Sequence, residues 1–256
     1  MLTFSYSNSR PLYCFFLLHI FLFLTGCAQG YGARSARPIE VKPSQSAGAR
    51  AALRERTSQL EKVVEAPQVV VPAIVLRDSL GVRKAFREYL GKYRPFVEDA
   101  LSRSDLYLPK MEGVFRRQGL PPELVYLAII ESRLRPAARS RRGAVGLWQF
   151  MRPTARAYGL TVGLFRDERK DPRKSTLAAA KYLAYLHDRF DDWFLAIAAY
   201  NSGPTRMSRV VREYGTRDFF ELADQGALKR ETRELVEKFI ALTMIMKNLE
   251  VYGFRE

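Results

Sequence analysis

The 256-residue sequence has little of what disulfide-rich, metal-binding and β-sheet proteins need. It contains two cysteines, Cys14 and Cys27, and two histidines, so it predicts neither a disulfide framework nor a metal site. Strand-type alternation is weak, and no internal repeat, phosphate-binding loop or nucleophile triad is visible. These absences favour an all-α globular domain that uses no cofactor.

Acidic residues are also scarce relative to basic ones. There are 42 Lys and Arg against 27 Asp and Glu, which gives a formal net charge of +15. Such a charge favours an anionic neighbour, namely nucleic acid, an anionic membrane or an acidic polymer such as cell wall. Since the charge is spread along the chain and no nucleic-acid motif is present, we expect no nucleic-acid partner.

Residues 1–26 have the pattern of a secretory signal peptide. Arg10 precedes an apolar run at 12–24, which is too short for a membrane span. The letters LTGC, ending at Cys27, resemble the bacterial lipoprotein signal, which implies cleavage before Cys27 and lipid on that residue. The alternative is an ordinary signal peptide with an incidental cysteine. Ala28, where retained lipoproteins have aspartate, implies a periplasmic location on the inner leaflet of the outer membrane.

The rest of the chain divides into a tether and a folded domain. Residues 27–77 are first rich in small residues, arginine and proline and then interrupted by prolines, so we expect a flexible tether there. Residues 78–256 are expected to form one catalytic domain. Helical periodicity predicts helices at Val82–Tyr93, Tyr107–Gln118, 120–132, Pro153–Tyr158, Thr176–Phe190, Trp193–Ser202, Thr205–Tyr214 and Arg230–Asn248, with a loop at Ala137–Phe150 and irregular chain at 160–174.

The segment LPPELVYLAIIES is an apolar helix that ends in a carboxylate, Glu131. Helical spacing places Glu131 on the same face as Leu124 and Leu127. An unpaired carboxyl that extends an apolar stripe has its pKa raised from about 4.3, which is what a general acid at neutral pH needs. The alternative is a glutamate that emerges into solvent or pairs with one of the arginines that follow it.

Four segments, taken together, carry a resemblance to a known family. They are Glu131-Ser132, GAVGLWQFM at 143–151, AIAAYNSGP at 196–204 and RETR at 230–233. In this order and spacing they resemble the soluble lytic transglycosylase (SLT) family, in particular the membrane-bound lytic murein transglycosylase D type. The resemblance implies a goose-lysozyme-like all-α catalytic domain with a groove for peptidoglycan glycan strands.

The resemblance also implies a reaction. Glu131 matches the single catalytic acid that cleaves the bond between N-acetylmuramic acid and N-acetylglucosamine and leaves a 1,6-anhydromuramic end. One carboxyl can serve as acid and then as base, because it is deprotonated by the first step. Two alternatives stay open, a muramidase of the same fold that hydrolyses the bond and a non-catalytic wall-binding scaffold.

The motifs imply six residues that bind substrate: Ser132, Trp148, Gln149, Tyr200, Asn201 and Glu231. Ser132 is expected to orient the acid by a hydrogen bond. Trp148 and Tyr200 have core packing as an alternative, and Glu231 has a structural ion pair.

No second carboxylate occupies a similarly apolar context. We interpret the acidic residues after the motif as solvated loop charges or helix caps: Asp167, Glu168, Asp171, Asp191 and Asp192.

Overall fold

The structure, a computed structural model, describes residue 74 and residues 76–254. The predicted signal peptide, the lipid site Cys27 and nearly all of the predicted tether lie outside the described residues. Ten α-helices span this part of the chain: α1 Leu80–Leu90, α2 Arg94–Leu101, α3 Ser104–Arg117, α4 Leu127–Ser132, α5 Arg152–Ala157, α6 Pro172–Phe190, α7 Trp193–Ser202, α8 Pro204–Tyr214, α9 Phe219–Asp224 and α10 Arg230–Met246. Short 3-10 turns occur at Pro122–Tyr126 and Glu168–Lys170.

Strand pairing in the described residues is limited to isolated bridges, two of which join Val145 to Arg139 and to Phe150. The prediction of an all-α domain is therefore confirmed for them. No described helix is both long and apolar enough to cross a bilayer. No group of three or more side chains suited to metal binding occurs within the same residues.

Helix α7 lies at the centre of the hydrophobic core. It is apolar on all sides, and the residues from Phe194 to Ala199 are buried against α6, α8 and α10. Asp192 caps its first turn, because its side chain accepts a hydrogen bond from the Leu195 amide at 2.6 Å. Gly203, with φ of 87°, ends the helix, and Pro204 begins α8. The helix thus ends at a fixed point of the fold.

Helix α10 forms the second side of the core. Its apolar face includes Val236, Phe239 and Ile240, which are fully buried, and it packs against α1, α7 and α4. The helix that carries Glu131, α4, is therefore packed against a helix of the core.

The expected domain start at residue 78 stays a prediction, but earlier residues already contact the helices. Ile74 is buried, and Arg77 forms an ion pair with Asp218 while its guanidinium lies 4.4 Å from the centre of the Phe220 ring. The packed body thus includes the last residues of the predicted tether.

The helix expected over 120–132 differs from the prediction. Its first half is the 3-10 turn at Pro122–Tyr126, and only Leu127–Ser132 is α-helical. It ends at Ser132, because Arg133 and Leu134 both adopt left-handed backbone with φ of 55° and 57°. Leu134 is nonetheless fully buried, so the burial of this side chain offsets the conformational cost.

Candidate active site

Glu131 lies in the last turn of α4, on a short helix held by burial. Leu127, Ala128 and Ile129 are inaccessible to solvent or nearly so, and they fix the rotation of the helix. The left-handed turn at Arg133 then leads the chain away, which leaves the Glu131 side chain at the edge of a cleft. The apolar run thus places a carboxyl where packed protein meets solvent.

The Glu131 carboxyl is half-buried and has no hydrogen bond or ion pair to any described residue. Burial raises its pKa to about 7, and the negative charge of Glu231 contributes in the same direction. The alternative of pairing with a following arginine is not seen, because Arg133 and Arg135 both contact Asp99 instead. At neutral pH Glu131 is therefore divided between its acid and its carboxylate forms.

Ser132 ties α4 to the loop that follows. Its buried hydroxyl lies 3.0 Å from the Ala128 carbonyl oxygen and 2.9 Å from that of Leu147, and it accepts a bond from the Arg135 amide at 3.3 Å. The expected bond from Ser132 to Glu131 is not present in the described structure. Ser132 fixes the position of the acid through the backbone.

The loop at 143–150 forms one wall of the cleft. Gly146 has φ of 88°, and a Cβ there would lie 1.9 Å from the Arg169 carbonyl oxygen, so only glycine fits. Gln149 also adopts left-handed backbone, with φ of 47°, and its Nε2 donates to the Gly146 carbonyl at 2.9 Å. Both Gln149 and Glu131 line the cleft.

Trp148 belongs to the core. It is fully buried, stacks on Phe115 with ring centres 5.5 Å apart, and donates from Nε1 to the Thr176 hydroxyl at 3.1 Å. The role of Trp148 as a sugar-stacking residue is therefore corrected, because its ring has no accessible face. Its side chain anchors the loop whose next residue, Gln149, reaches the cleft.

Tyr200 and Asn201 lie in the last turn of α7. The Tyr200 hydroxyl donates to the Trp148 carbonyl, and burial raises its pKa far above the usual value, with the nearby Glu131 charge adding to the effect. Asn201 is exposed, and its Oδ1 accepts from the Thr232 hydroxyl at 2.8 Å. Tyr200 thus brings a neutral hydroxyl into the surroundings of Glu131, and Asn201 joins α7 to α10.

Glu231 begins α10 and is mostly exposed. Its nearest cation is Arg142, at 3.9 Å across two exposed side chains, which is a weak pair. Its charge nevertheless contributes to the raised pKa of Glu131. Glu231 is therefore the carboxylate that the structure couples electrostatically to the candidate acid.

The acidic residues of the segment 160–174 are structural. Asp167 pairs with the buried Arg169, and Asp171 caps α6 by accepting from the Lys174 amide at 2.9 Å. Arg169 in turn donates to the carbonyls of Gly143 and Phe150, both at 3.0 Å. Asp167 also accepts from the Arg169 amide at 3.3 Å and so caps the 3-10 turn, which is one of the two interpretations left open for it, whereas its ion pair with the buried Arg169 was not predicted. Sequence reasoning also missed Arg169, since a charged loop gives no sign that its partners lie elsewhere in the chain.

The cleft beside Glu131 has a volume of about 620 Å³. Its walls come from the ends of α2 and α4 and from the loop that follows. The lining residues are Phe96, Ile130, Glu131, Ser132, Arg133, Arg135, Ala138, Arg139, Ser140 and Gln149. A partly protonated carboxyl beside polar and basic groups is suited to acid–base chemistry on a polar substrate.

Comparison with known proteins identifies a family for the part of the chain that contains this site. Residues 114–223 match the family described as "Transglycosylase SLT domain". This part of the chain is a transglycosylase SLT domain. The match includes Glu131, the loop at 143–150 and α7, so the predicted family and the lysozyme-like, all-α fold class are confirmed together.

Several characterised proteins are similar to the chain. "Membrane-bound lytic murein transglycosylase D" of Escherichia coli K12 is 36% identical over 179 residues, which is 68% of this chain and 38% of the relative. "Peptidoglycan transglycosylase gp16" of Escherichia phage T7 is 36% identical over 130 residues, 50% of this chain and 10% of the relative. A solved structure of an inactive mutant of lytic transglycosylase Slt from Pseudomonas aeruginosa is 24% identical, with a TM-score of 0.46, and covers 58% of this chain and 24% of that one. The chain thus spans well under half the length of the first of these relatives.

Proposed function

We propose that this protein is a lytic transglycosylase that cleaves peptidoglycan strands with Glu131 as its only acid and base. The observation that carries the proposal is the Glu131 carboxyl itself, which lies unpaired at the edge of a cleft with a pKa raised to about 7. A general acid works best with a pKa near the operating pH. The SLT domain match and the names of two relatives support the same activity.

The reaction needs one proton donor that becomes a proton acceptor. Protonated Glu131 gives its proton to the oxygen that joins N-acetylmuramic acid to N-acetylglucosamine, and the bond from that oxygen to the muramic anomeric carbon breaks. The muramic 6-hydroxyl then bonds to the anomeric carbon while the Glu131 carboxylate takes the hydroxyl proton. The product is a 1,6-anhydromuramic end, and no water is consumed.

The absence of a paired second carboxylate among the described cleft residues fits this single-acid scheme. Two-carboxylate glycosidases place both groups across the scissile bond, whereas substrate-assisted enzymes use the N-acetyl oxygen of the sugar in place of the second. Tyr200, neutral and close to Glu131, supplies a hydroxyl beside that acetamido group. Ser132 and Gln149 line the cleft, and Asn201 joins α7 to α10.

A muramidase is the second candidate, and Glu231 is the observation that favours it. This carboxylate acts on Glu131 through space and stays accessible to solvent, as a group that activates water must be. A non-catalytic scaffold fits less well, because burying an unpaired carboxyl costs stability that a scaffold has no use for.

The protein's place in the cell is also a proposal. We infer that it is exported, lipidated at Cys27 and held on the periplasmic side of the outer membrane, where its basic surface meets the wall. The relatives described as membrane-bound support membrane attachment. Mass spectrometry of the N-terminal peptide tests the anchor: a diacylglyceryl mass on Cys27 is expected, and an unmodified or differently cut terminus contradicts it.

Product analysis decides between the enzymatic candidates. Purified sacculi are treated with the full-length protein or with Glu131→Gln, and the soluble muropeptides are weighed by mass spectrometry. We expect products with 1,6-anhydro ends, lighter by one water, and a rate loss of about 10³-fold in the variant. Reducing ends would instead indicate a muramidase, and binding without products from either protein would indicate a scaffold.

A further inference from the structure

Three arginines share a single carboxylate next to the cleft. Nitrogen atoms of Arg103, Arg133 and Arg135 lie 2.8, 3.4 and 2.8 Å from Oδ2 of Asp99. One negative charge therefore faces three positive charges. The excess remains available to an anion that approaches this surface.

Two of these arginines line the cleft that contains Glu131, and a further arginine joins them. Arg133 and Arg135 keep 41% and 46% of their side chains exposed, while Arg139 is exposed and has no ion pair with any described residue. We call Arg133, Arg135 and Arg139 the arginine rim. It borders the same cavity of about 620 Å³ as the candidate acid.

Two of the three rim arginines are held in place before any ligand arrives. Both carboxylate oxygens of Asp99 accept from Nη2 of Arg135, at 2.9 and 2.8 Å, and Arg103 donates from Nε to the Arg133 carbonyl at 3.0 Å. The Arg133 guanidinium also lies 5.6 Å from the centre of the Phe96 ring. Fixed guanidinium groups lose less entropy on binding than free ones and match carboxylates with two hydrogen bonds.

The arginines of the rim are not placed so that they stabilise the carboxylate form of Glu131. An arginine in contact with a carboxyl lowers its pKa, whereas the Glu131 pKa is raised by burial and by Glu231. The acid thus retains its proton although cations border the same cleft. The cations are therefore free to act on a charged ligand instead.

We propose that the arginine rim binds carboxylates on the side chain of muramic acid, so that the cleft favours strands carrying acidic peptides. The inference rests on the proposed function, because it concerns the substrate of that site. N-acetylated sugar rings are uncharged. The anionic groups of such a strand are the carboxylates of its lactyl ether or of the peptides attached there, and guanidinium groups recognise carboxylates.

Binding measured without cleavage tests the proposal. Glu131→Gln in the full-length protein serves as the background, and three ligands are compared: strands with peptides, strands from which peptides were removed, and neutral N-acetylglucosamine oligomers. Removing the peptides leaves the lactyl carboxylate, so the second ligand separates the two sources of charge. The variants are Arg139→Gln and Arg135→Gln, with Arg212→Gln, an exposed arginine outside the cleft lining, as the matched control.

We expect the peptide-bearing strands to bind most tightly, and each rim variant to lose about 3- to 10-fold in affinity for them, with a smaller loss for neutral oligomers. The loss should shrink in high salt, and Arg212→Gln should not cause it. Tighter binding of the peptide-free strands than of the peptide-bearing ones would identify the lactyl carboxylate, which is ionised only where no peptide is attached, and would overturn the preference for acidic peptides. Equal affinity for all three ligands, or an unchanged preference in both rim variants, would overturn the proposal. Cleavage by the unmodified protein, assayed in parallel, reports separately on the proposed function.

Discussion

Glu131 and Glu168 are the same residue type, the first half-buried and the second buried, and their pKa values are displaced in opposite directions. Glu168 accepts from the Thr161 amide at 2.8 Å and pairs with Lys174 and Arg166, and these partners lower its pKa to about 2. Glu131 has no such partner among the described residues, and burial raises its pKa to about 7. Partners rather than burial therefore decide whether a shielded carboxyl stays charged.

The contrast separates a site built for stability from one built for reaction. Glu168 and Arg169 both have ion-pair partners, and Arg169 also donates to two carbonyls of the loop that forms one wall of the cleft. The Glu131 carboxyl is unpaired and borders solvent. This lowers the stability of the protein, but the carboxyl keeps a proton that it can donate to a substrate. The first region thus supports the geometry that the second needs.

The largest expected effect on stability comes from removing Arg169, the buried partner of an ion pair in the paired region. Arg169→Met leaves Asp167 and the carbonyls of Gly143 and Phe150 without their buried donor. Breaking a buried pair on one side costs about 3–5 kcal/mol, which lowers Tm by about 10 °C in a domain of this size. Thermal unfolding followed by circular dichroism measures the change.

Arg166→Gln is the matched control for that substitution. Arg166 also pairs with Glu168, at 2.6 Å, but 65% of its side chain is exposed. We expect it to change the free energy of unfolding by about 1 kcal/mol or less. Equal losses in the two variants would mean that the buried network does not hold the loop.

The second prediction concerns the stability of the unpaired site. Glu131→Gln removes a carboxyl whose pKa in the folded protein, about 7, lies above the ordinary value of 4.5. The contribution of Glu131 to the free energy of unfolding is therefore fully present below pH 4.5 and is lost as the pH rises to about 7. The variant should exceed the wild type at pH 8 by at most about 3 kcal/mol, with little difference at pH 4. Urea unfolding at both pH values checks this, and a pH-independent difference would contradict it.

The third prediction is that stability depends on pH in the opposite direction at Glu168. The pKa of Glu168 in the folded protein is about 2, below the ordinary value of 4.5, so its contribution to stability is present above pH 4.5 and is lost as the pH falls towards 2. Glu168→Gln should therefore be less stable than the wild type at pH 7, and the gap should narrow in acid. The same unfolding series measures it. A gap that widens in acid would show that the ion pairs of Glu168 are not the cause.

Much of the fold follows from the sequence because local signals and burial agree. Helix α7 lies at the predicted Trp193–Ser202, where an apolar run is bounded by a capping Asp192 and by Gly203. Two short helices, α2 and α9, were not predicted. In α9 a six-residue segment is held by packing of Phe219 and Phe220 against Phe194, which no window of sequence contains.

The role of a site residue could be predicted only where the signal for it lies within a single sequence segment. Glu131 was identified because a carboxylate that ends an apolar run is unusual in itself. The pairing of Asp167 with Arg169 was visible only in the fold, since the same arginine binds carbonyls in a separate loop. Trp148 was assigned to substrate by its motif, and the structure places it in the core. Residue type suggested each role, and tertiary contacts decided it.

The smallest expected effect tests how the unpaired site is tuned. Glu231 is exposed, and its negative charge contributes to the raised pKa of Glu131. Solvent screens this interaction. Glu231→Gln should therefore lower the Glu131 pKa, moving the basic limb of the pH profile of kcat/KM to lower pH by about 0.2–0.5. Added salt should reduce this displacement, because exposed charges are screened. Glu213→Gln, an exposed acidic residue on α8, serves as the control and should leave the profile in place. A basic limb that stays fixed in Glu231→Gln would leave burial as the sole cause of the raised pKa, and one that moves to higher pH would mean that Glu231 acts on the reaction by contact rather than by charge.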